Sequence, residues 1–265
     1  MTFYSPIEPI YYILPFIGLL VGLFGTMVGG GGGFVFLPVL ILIVDVPAHT
    51  AVITSLVATL PVGIAGSLGH YRNGNVNLRL ALMFALAGLF GAFAGVSLTN
   101  LMTEKGLRIT FGAYCFLMGI YIFFNTRNFT MSAENLHKGV PSFNKKNIAK
   151  NSFFGFSAGT ITGAFGTSGA APLMAGLLSL SIPIKLVIGT SLLIVASNTI
   201  FAIGAHFLVG QIDLTLVMFL TAGSMIGAVI GPLLLSRIDT SHSEGRIRYI
   251  IAGVMAVLGI LMIWG

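Results

Sequence analysis

Two glycine-dense breaks are the residues of this 265-residue chain best suited to chemistry: Gly29-Gly30-Gly31-Gly32-Gly33 and Gly166-Thr167-Ser168-Gly169. A helix-length apolar run restarts after each, at Phe34 and at Ala170. Glycine costs a helix about 1 kcal/mol per residue relative to alanine, and irregular backbone at membrane depth is tolerated only beside a cavity or within protein. A helix restarting there points free N–H groups and the positive end of its dipole into the gap, a ready site for an anion. Side-chain donors stand nearby. Thr167 and Ser168 lie in the second break, Thr54-Ser55 and Thr190-Ser191 lie a turn or two into the next long segments, and Asn198 shares a helix face with Ser191. The candidate substrate-binding set is therefore Gly30, Gly31, Gly32, Gly33, Thr54, Ser55, Gly166, Thr167, Ser168, Gly169, Thr190, Ser191 and Asn198. No catalytic residue, cofactor or metal is expected.

His70 and His206 close the long segments that follow the breaks. They are expected at opposite membrane faces, either bonding loop carbonyls or acting as gate or proton-sensitive groups. Two other chemistries fit these residues less well. A nucleotide-phosphate loop needs a Lys after its glycines, and none follows. Gly166-Thr167-Ser168-Gly169 fits the Gly-x-Ser-Gly pattern of rhomboid-type intramembrane serine proteases, with His206 as base. The chain's internal repeat argues against that reading, because Ser168 then corresponds to Gly32 while His206 is duplicated as His70, which has no serine to serve.

That repeat also defines the elements that must position these residues. A shift of 136 residues, without a gap, carries Thr26–Leu98 onto Thr162–Leu234. It matches Gly30 to Gly166, Gly33 to Gly169, Pro47 to Pro183, Thr54-Ser55-Leu56 to Thr190-Ser191-Leu192, His70 to His206 and Gly74 to Gly210. Hydrophobic residues make up 56% of the chain, charged residues 8%, and the mean hydropathy is +1.00, which places both halves in a membrane. A duplicated membrane half is the signature of a secondary transporter with its site near the midplane. The expected segments are 10–28, 33–44, 48–70, 77–100 and 108–125, then 151–165, 169–181, 184–208, 212–236 and 247–264. Residues 1–125 form an N-terminal membrane repeat, 126–150 a cytoplasmic linker and 151–265 a C-terminal membrane repeat. The second segment of each half spans only about 18 Å as a helix, too short for a comfortable crossing.

Loop charge selects the arrangement of the halves. With five crossings each they are inverted, and 11 of the 13 Lys and Arg fall on one side, leaving Lys105 and Arg108 on the other. Four crossings each would divide these charges about evenly, against the positive-inside bias. The net charge of +6 is thus a topology signal rather than a nucleic-acid footprint. The partners implied are the lipid bilayer and a small anionic substrate. The N-terminal stretch lacks a basic region and is expected to keep its first helix. The single Cys115 excludes an intrachain disulfide. Every Asp and Glu falls in a loop or at a segment end, so the in-membrane carboxylates of many ion-coupled pumps are missing. An anion leaving a negative-inside cell needs little of that machinery, since each charge gains about 2.3 kcal/mol per 100 mV.

The run Gly22-Leu23-Phe24-Gly25-Thr26-Met27-Val28-Gly29 through Gly33-Phe34, with Pro38 after it, resembles the glycine-rich opening of the TauE/SafE sulfite exporter family, also called the 4-toluene sulfonate uptake permease family. His49-Thr50-Ala51-Val52-Ile53-Thr54-Ser55-Leu56, Val187-Ile188-Gly189-Thr190-Ser191-Leu192 and the turns Gly74-Asn75-Val76-Asn77 and Gly210-Gln211-Ile212-Asp213 extend the resemblance over nearly the whole chain. Thr167 and Ser168 stand where the simpler pattern has glycines. The resemblance implies transport, often export, of sulfite or an organosulfonate. The expectation is an all-α polytopic protein of the cell (inner) membrane, with two inverted repeats of about five hydrophobic segments and a short broken or half-helix in each. A passive anion channel is the nearest alternative to alternating access.

Overall fold

A computed structural model describes residues 2–134, 145–180, 182–207, 211–237 and 240–264. Within them lie ten α-helices, five per repeat. In the first half these are α1 (Leu14–Val28), α2 (Gly33–Leu42), α3 (Ala48–Arg72), α4 (Leu78–Leu101) and α5 (Glu104–Glu134). In the second they are α6 (Lys145–Phe165), α7 (Ala170–Leu178), α8 (Ile184–His206), α9 (Leu214–Arg237) and α10 (Thr240–Trp264). A short 3-10 turn, Pro9–Ile13, leads into α1, and Thr2–Phe3 (β1) pairs in parallel with Ile212–Asp213 (β2). Among the described residues, six helices are long and apolar enough to cross a membrane. The helices α5 and α6 extend into the expected linker, while residues 135–144, with Lys138, lie outside the described residues, as do Gly210 and Asp239.

The two halves are interlocked. The first helix of each repeat packs along the fourth helix of the other, α1 on α9 and α6 on α4, while α3 meets α8 at the centre and α5 meets α10 on the more exposed flank. Small residues permit the first two contacts, because without a hydrophobic drive in lipid, helices gain most from close backbone approach. A Cβ placed on Gly22 would sit 2.1 Å from the Ser224 carbonyl oxygen, and one on Gly159 would sit 2.0 Å from that of Gly88.

Helix contacts fix the relative orientation of the two repeats. Gly63 faces Ala196, Gly66 faces Leu192 and Gly189 faces His70, so α3 and α8 run antiparallel. Gly112 faces Gly259, and Gly119 faces Ala252, so α5 and α10 do too. Equivalent helices that run antiparallel are related by an axis across them, which lies in the membrane plane. The repeats are inverted.

The contacts also correct the gapless shift. The Gly22–Ser224 approach has its counterpart in Gly159–Gly88, so α1 maps onto α6 with a shift of 137 while α4 maps onto α9 with 136. The second repeat is one residue shorter between its broken helix and its third helix. Glycine-rich sequence matches itself in either register, so identity alone could not locate the deletion. Gly29 therefore corresponds to Gly166 and Gly32 to Gly169, in place of the Gly30–Gly166 and Gly33–Gly169 pairs read from sequence.

Candidate functional site

The first break is built from left-handed turns. Gly29 ends α1 at φ 82°, and Gly31 and Gly32 follow at φ 61° and 79°, with Gly32 capping the start of α2. In the second break Gly166 has φ 63°, and Gly169, at φ 54°, caps the start of α7. Side chains other than glycine's seldom adopt this region, which explains the residue types at these five positions. The helices restart at Gly33 and Ala170, within a residue of expectation.

Both α2 and α7 are half-helices. At ten and nine residues each covers about 15 Å, half the hydrocarbon core. The start of α2 lies by Thr59, one residue from the midpoint of α3, and its chain returns to Pro47 at the start of that helix. The return of α7 to Pro183, before α8, is the inverted copy.

The two breaks meet at mid-depth. Positions on Gly33 lie against Thr167 and Ser168, Gly30 lies against Ala170, and Gly31 lies against Ser168. With the shift of 137 the first two contacts are exact mates and the third joins a residue to its own counterpart. The pseudo-two-fold axis thus passes between Gly31 and Ser168. Thr59 and Val195, themselves mates at the midpoints of α3 and α8, both touch Gly31. Two helix N-termini thus converge on one point, neither with a side-chain cap and neither with an acidic residue in its first turn. Each carries roughly half a positive charge. Thr167 and Ser168, 2% and 1% exposed, line this junction and are shielded from both faces.

The duplicated hydroxyls are engaged in hydrogen bonds between the repeats. Ser191 Oγ lies 2.8 Å from both the Gly29 and Ile188 carbonyl oxygens, and Ser55 Oγ lies 2.8 Å from those of Gly166 and Val52. One proton is shared between the helix's own carbonyl and the first glycine of the other repeat's break. Thr190 Oγ1 accepts from the Asn77 N–H at 2.9 Å, and Thr54 Oγ1 accepts from the Asp213 N–H at 3.3 Å. Both acceptances hold the turn that starts a fourth helix, where Asn77 and Asp213 cap α4 and α9 with their side chains. These four hydroxyls bind the repeats to one another around the junction.

His70 and His206 stand near opposite ends of the molecule, as the inversion demands, but they are buried rather than interfacial, 1% and 2% exposed. Their Nε2 atoms pair with helix carbonyls in place of loop carbonyls: Thr26 at 3.2 Å and Gly163 at 2.8 Å, in the last turns of α1 and α6. The reason is geometric, since each third helix ends alongside the last turn before its own break. His206 is thereby engaged with Gly163, not with Ser168, whose mate is now Gly31. Among the described residues, no group of His, Cys, Asp and Glu could hold a metal.

Asn198 is fully buried against Gly88 of α4, with neither Oδ1 nor Nδ2 hydrogen-bonded. It lies one turn past Val195, beside the junction's α8 wall rather than between the glycines. Sequence reasoning missed Thr59, whose mate is Val195, because neither duplication nor a place in a break marks it.

A family model described as Sulfite exporter TauE/SafE matches residues 14–262. A probable membrane transporter protein of Xylella fastidiosa (strain Temecula1 / ATCC 700964) is 30% identical over 250 residues, covering 93% of this chain and 94% of its own. The probable membrane transporter protein YdhB of Bacillus subtilis (strain 168) is 26% identical over 223 residues, 84% of this chain and 87% of its own. No solved structure gives a significant match.

Proposed function

This chain belongs to the Sulfite exporter TauE/SafE family of membrane transporters, and we propose that it exports a small sulfur-containing anion, sulfite or an organosulfonate, by alternating access at the junction of its two breaks. The observation that carries this reading is the meeting of two uncapped half-helix N-termini, free of acidic residues, beside the midpoints of α3 and α8. A monoanion about 4 Å from both ends gains about 2 kcal/mol from each at an effective dielectric near 20. Left without an anion, the same two ends repel each other. The backbone N–H groups at the starts of α2 and α7 bind the oxyanion, with Thr167 and Ser168 as side-chain donors and Asn198 at the edge of the site.

Access alternates because the junction is closed by two copies of one seam. Ser191 holds the Gly29 carbonyl about 10 Å in from the start of α8, and Ser55 holds that of Gly166 about 10 Å in from the start of α3. As α3 and α8 are antiparallel, the seams guard opposite faces. Parting one while the other holds exposes the junction to a single side. The near-complete burial of Thr167 and Ser168 favours such an occluded carrier over an open channel. His70 and His206 tie the last turn before each break to its third helix, the position of a gate hinge.

The test is efflux of sulfite from sealed proteoliposomes under an imposed voltage, with alkylsulfonates as competitors. Saturable, voltage-accelerated efflux with counterflow is expected. Flux that never saturates points to a channel, and no flux of any sulfur anion overturns the substrate class.

A further inference from the structure

Among the described residues, most helical hydroxyls bond back to their own helix. Thr26, Thr99, Thr160 and Thr162 donate to the carbonyl four residues earlier, the usual habit of Ser and Thr in membrane helices. Thr59, Thr199 and Thr221 break the habit, with buried Oγ1 atoms that have no hydrogen-bond partner, and that of Thr59 lies at the junction. Thr59 is 1% exposed, and an unpaired buried hydroxyl is costly. Its hydroxyl points at the start of α2, 3.1 Å from where a Cβ of Gly33 would stand, a position itself 3.1 Å from the Ser168 nitrogen. Its methyl lies against Gly31, and Val195 touches Gly31 from the opposite helix.

We propose that Thr59 is a substrate-contacting, specificity-determining residue: its hydroxyl donates to an oxygen of the anion held between the two half-helix N-termini. This rests on the carrier reading above. At this pair the pseudo-symmetry is broken, because the mate of Thr59 is Val195. The site therefore has a hydrogen-bonding wall on α3 and a methyl wall on α8. An anion with distinct polar and non-polar sides is held in one orientation, and a symmetric tetrahedral oxyanion leaves one of its oxygens against Val195. The orphaned hydroxyl at the start of α2 is the group the substrate completes.

The experiment compares purified wild type, Thr59→Val and Thr59→Ser by thermal unfolding, with and without sulfite, methanesulfonate or sulfate. Wild type is expected to gain melting temperature with sulfite and methanesulfonate and less with sulfate. In Thr59→Val the substrate-free melting temperature is unchanged or higher, because an unpaired buried hydroxyl is removed, while apparent affinity falls about 10- to 100-fold, the factor carried by a hydrogen bond to a charged group. Thr59→Ser keeps affinity within about 3-fold. A Thr59→Val protein that binds as wild type overturns the assignment. So does one destabilised without ligand whose affinity is unchanged, since Thr59 is then structural. Wild type that responds to none of the three anions, with folding intact, instead overturns the carrier reading on which the assignment rests.

Discussion

Substituting Ser191 or Ser55 by alanine is expected to tilt the protein in opposite directions. Each hydroxyl shares its proton between its own helix and the first glycine carbonyl of the opposing break, at 2.8 Å to both. Removing it loses one hydrogen bond, about 1 kcal/mol net, and strands a buried carbonyl, which raises the cost towards 2 kcal/mol. The ratio of open to closed at that seam then shifts by about 5- to 30-fold. Ser191→Ala loosens the break that follows α1, and Ser55→Ala loosens the one that follows α6. In the inverted fold these lie towards opposite faces, and the double variant returns close to the wild-type balance, because a ligand-free equilibrium between two seams depends on their difference. The assay is labelling by a membrane-impermeant thiol reagent in a Cys115→Ser background, with reporters Thr26→Cys and Thr162→Cys, both fully buried next to the breaks. Ser191→Ala should raise labelling of the first and Ser55→Ala that of the second, each from its own side of the membrane. Equal effects on both reporters, or a double variant that labels more than either single one at both sites, refute the two-seam mechanism.

Backbone demands within the first break separate neighbouring glycines. Gly32→Ala must adopt φ near 79° and place a Cβ 2.2 Å from a Val21 methyl, so a loss of about 2 kcal/mol or more is expected in unfolding measurements. Gly30→Ala meets only the Ala170 methyl at 3.5 Å, outside the left-handed region, and should fold normally. On α1, Gly22→Val drives a side chain into the Ser224 carbonyl and should separate α1 from α9, seen as loss of a disulfide cross-link engineered between those helices.

Much of this architecture was legible in the residues. Hydropathy and the repeat located all ten segments, and the boundaries of α3, α4 and α8 agree with expectation within two residues. Loop charge chose the inverted arrangement that the antiparallel α3–α8 and α5–α10 contacts display, but from a count of five crossings per half, whereas α2 and α7 are half-helices that return to the starts of α3 and α8. The breaks were legible because five glycines in an apolar run have no helical explanation. Three things were not legible. The one-residue deletion before α8 was hidden because glycines at 29–33 match Gly166 and Gly169 in two registers. The partners of Ser55, Ser191, His70 and His206 depend on which helices lie alongside, information that a duplicated motif does not carry. Thr59 was invisible because its importance lies in what its hydroxyl fails to bond, a property of packing rather than of residue type.

The most direct test of the central claim is to locate the bound anion by crystallography, using selenite in place of sulfite and its anomalous scattering. A selenium peak between the starts of α2 and α7, with its oxygens in hydrogen-bond reach of backbone N–H groups near Gly33 and Ala170, is the expected result. A peak elsewhere in a protein that transports selenite would contradict the head-to-head helix site.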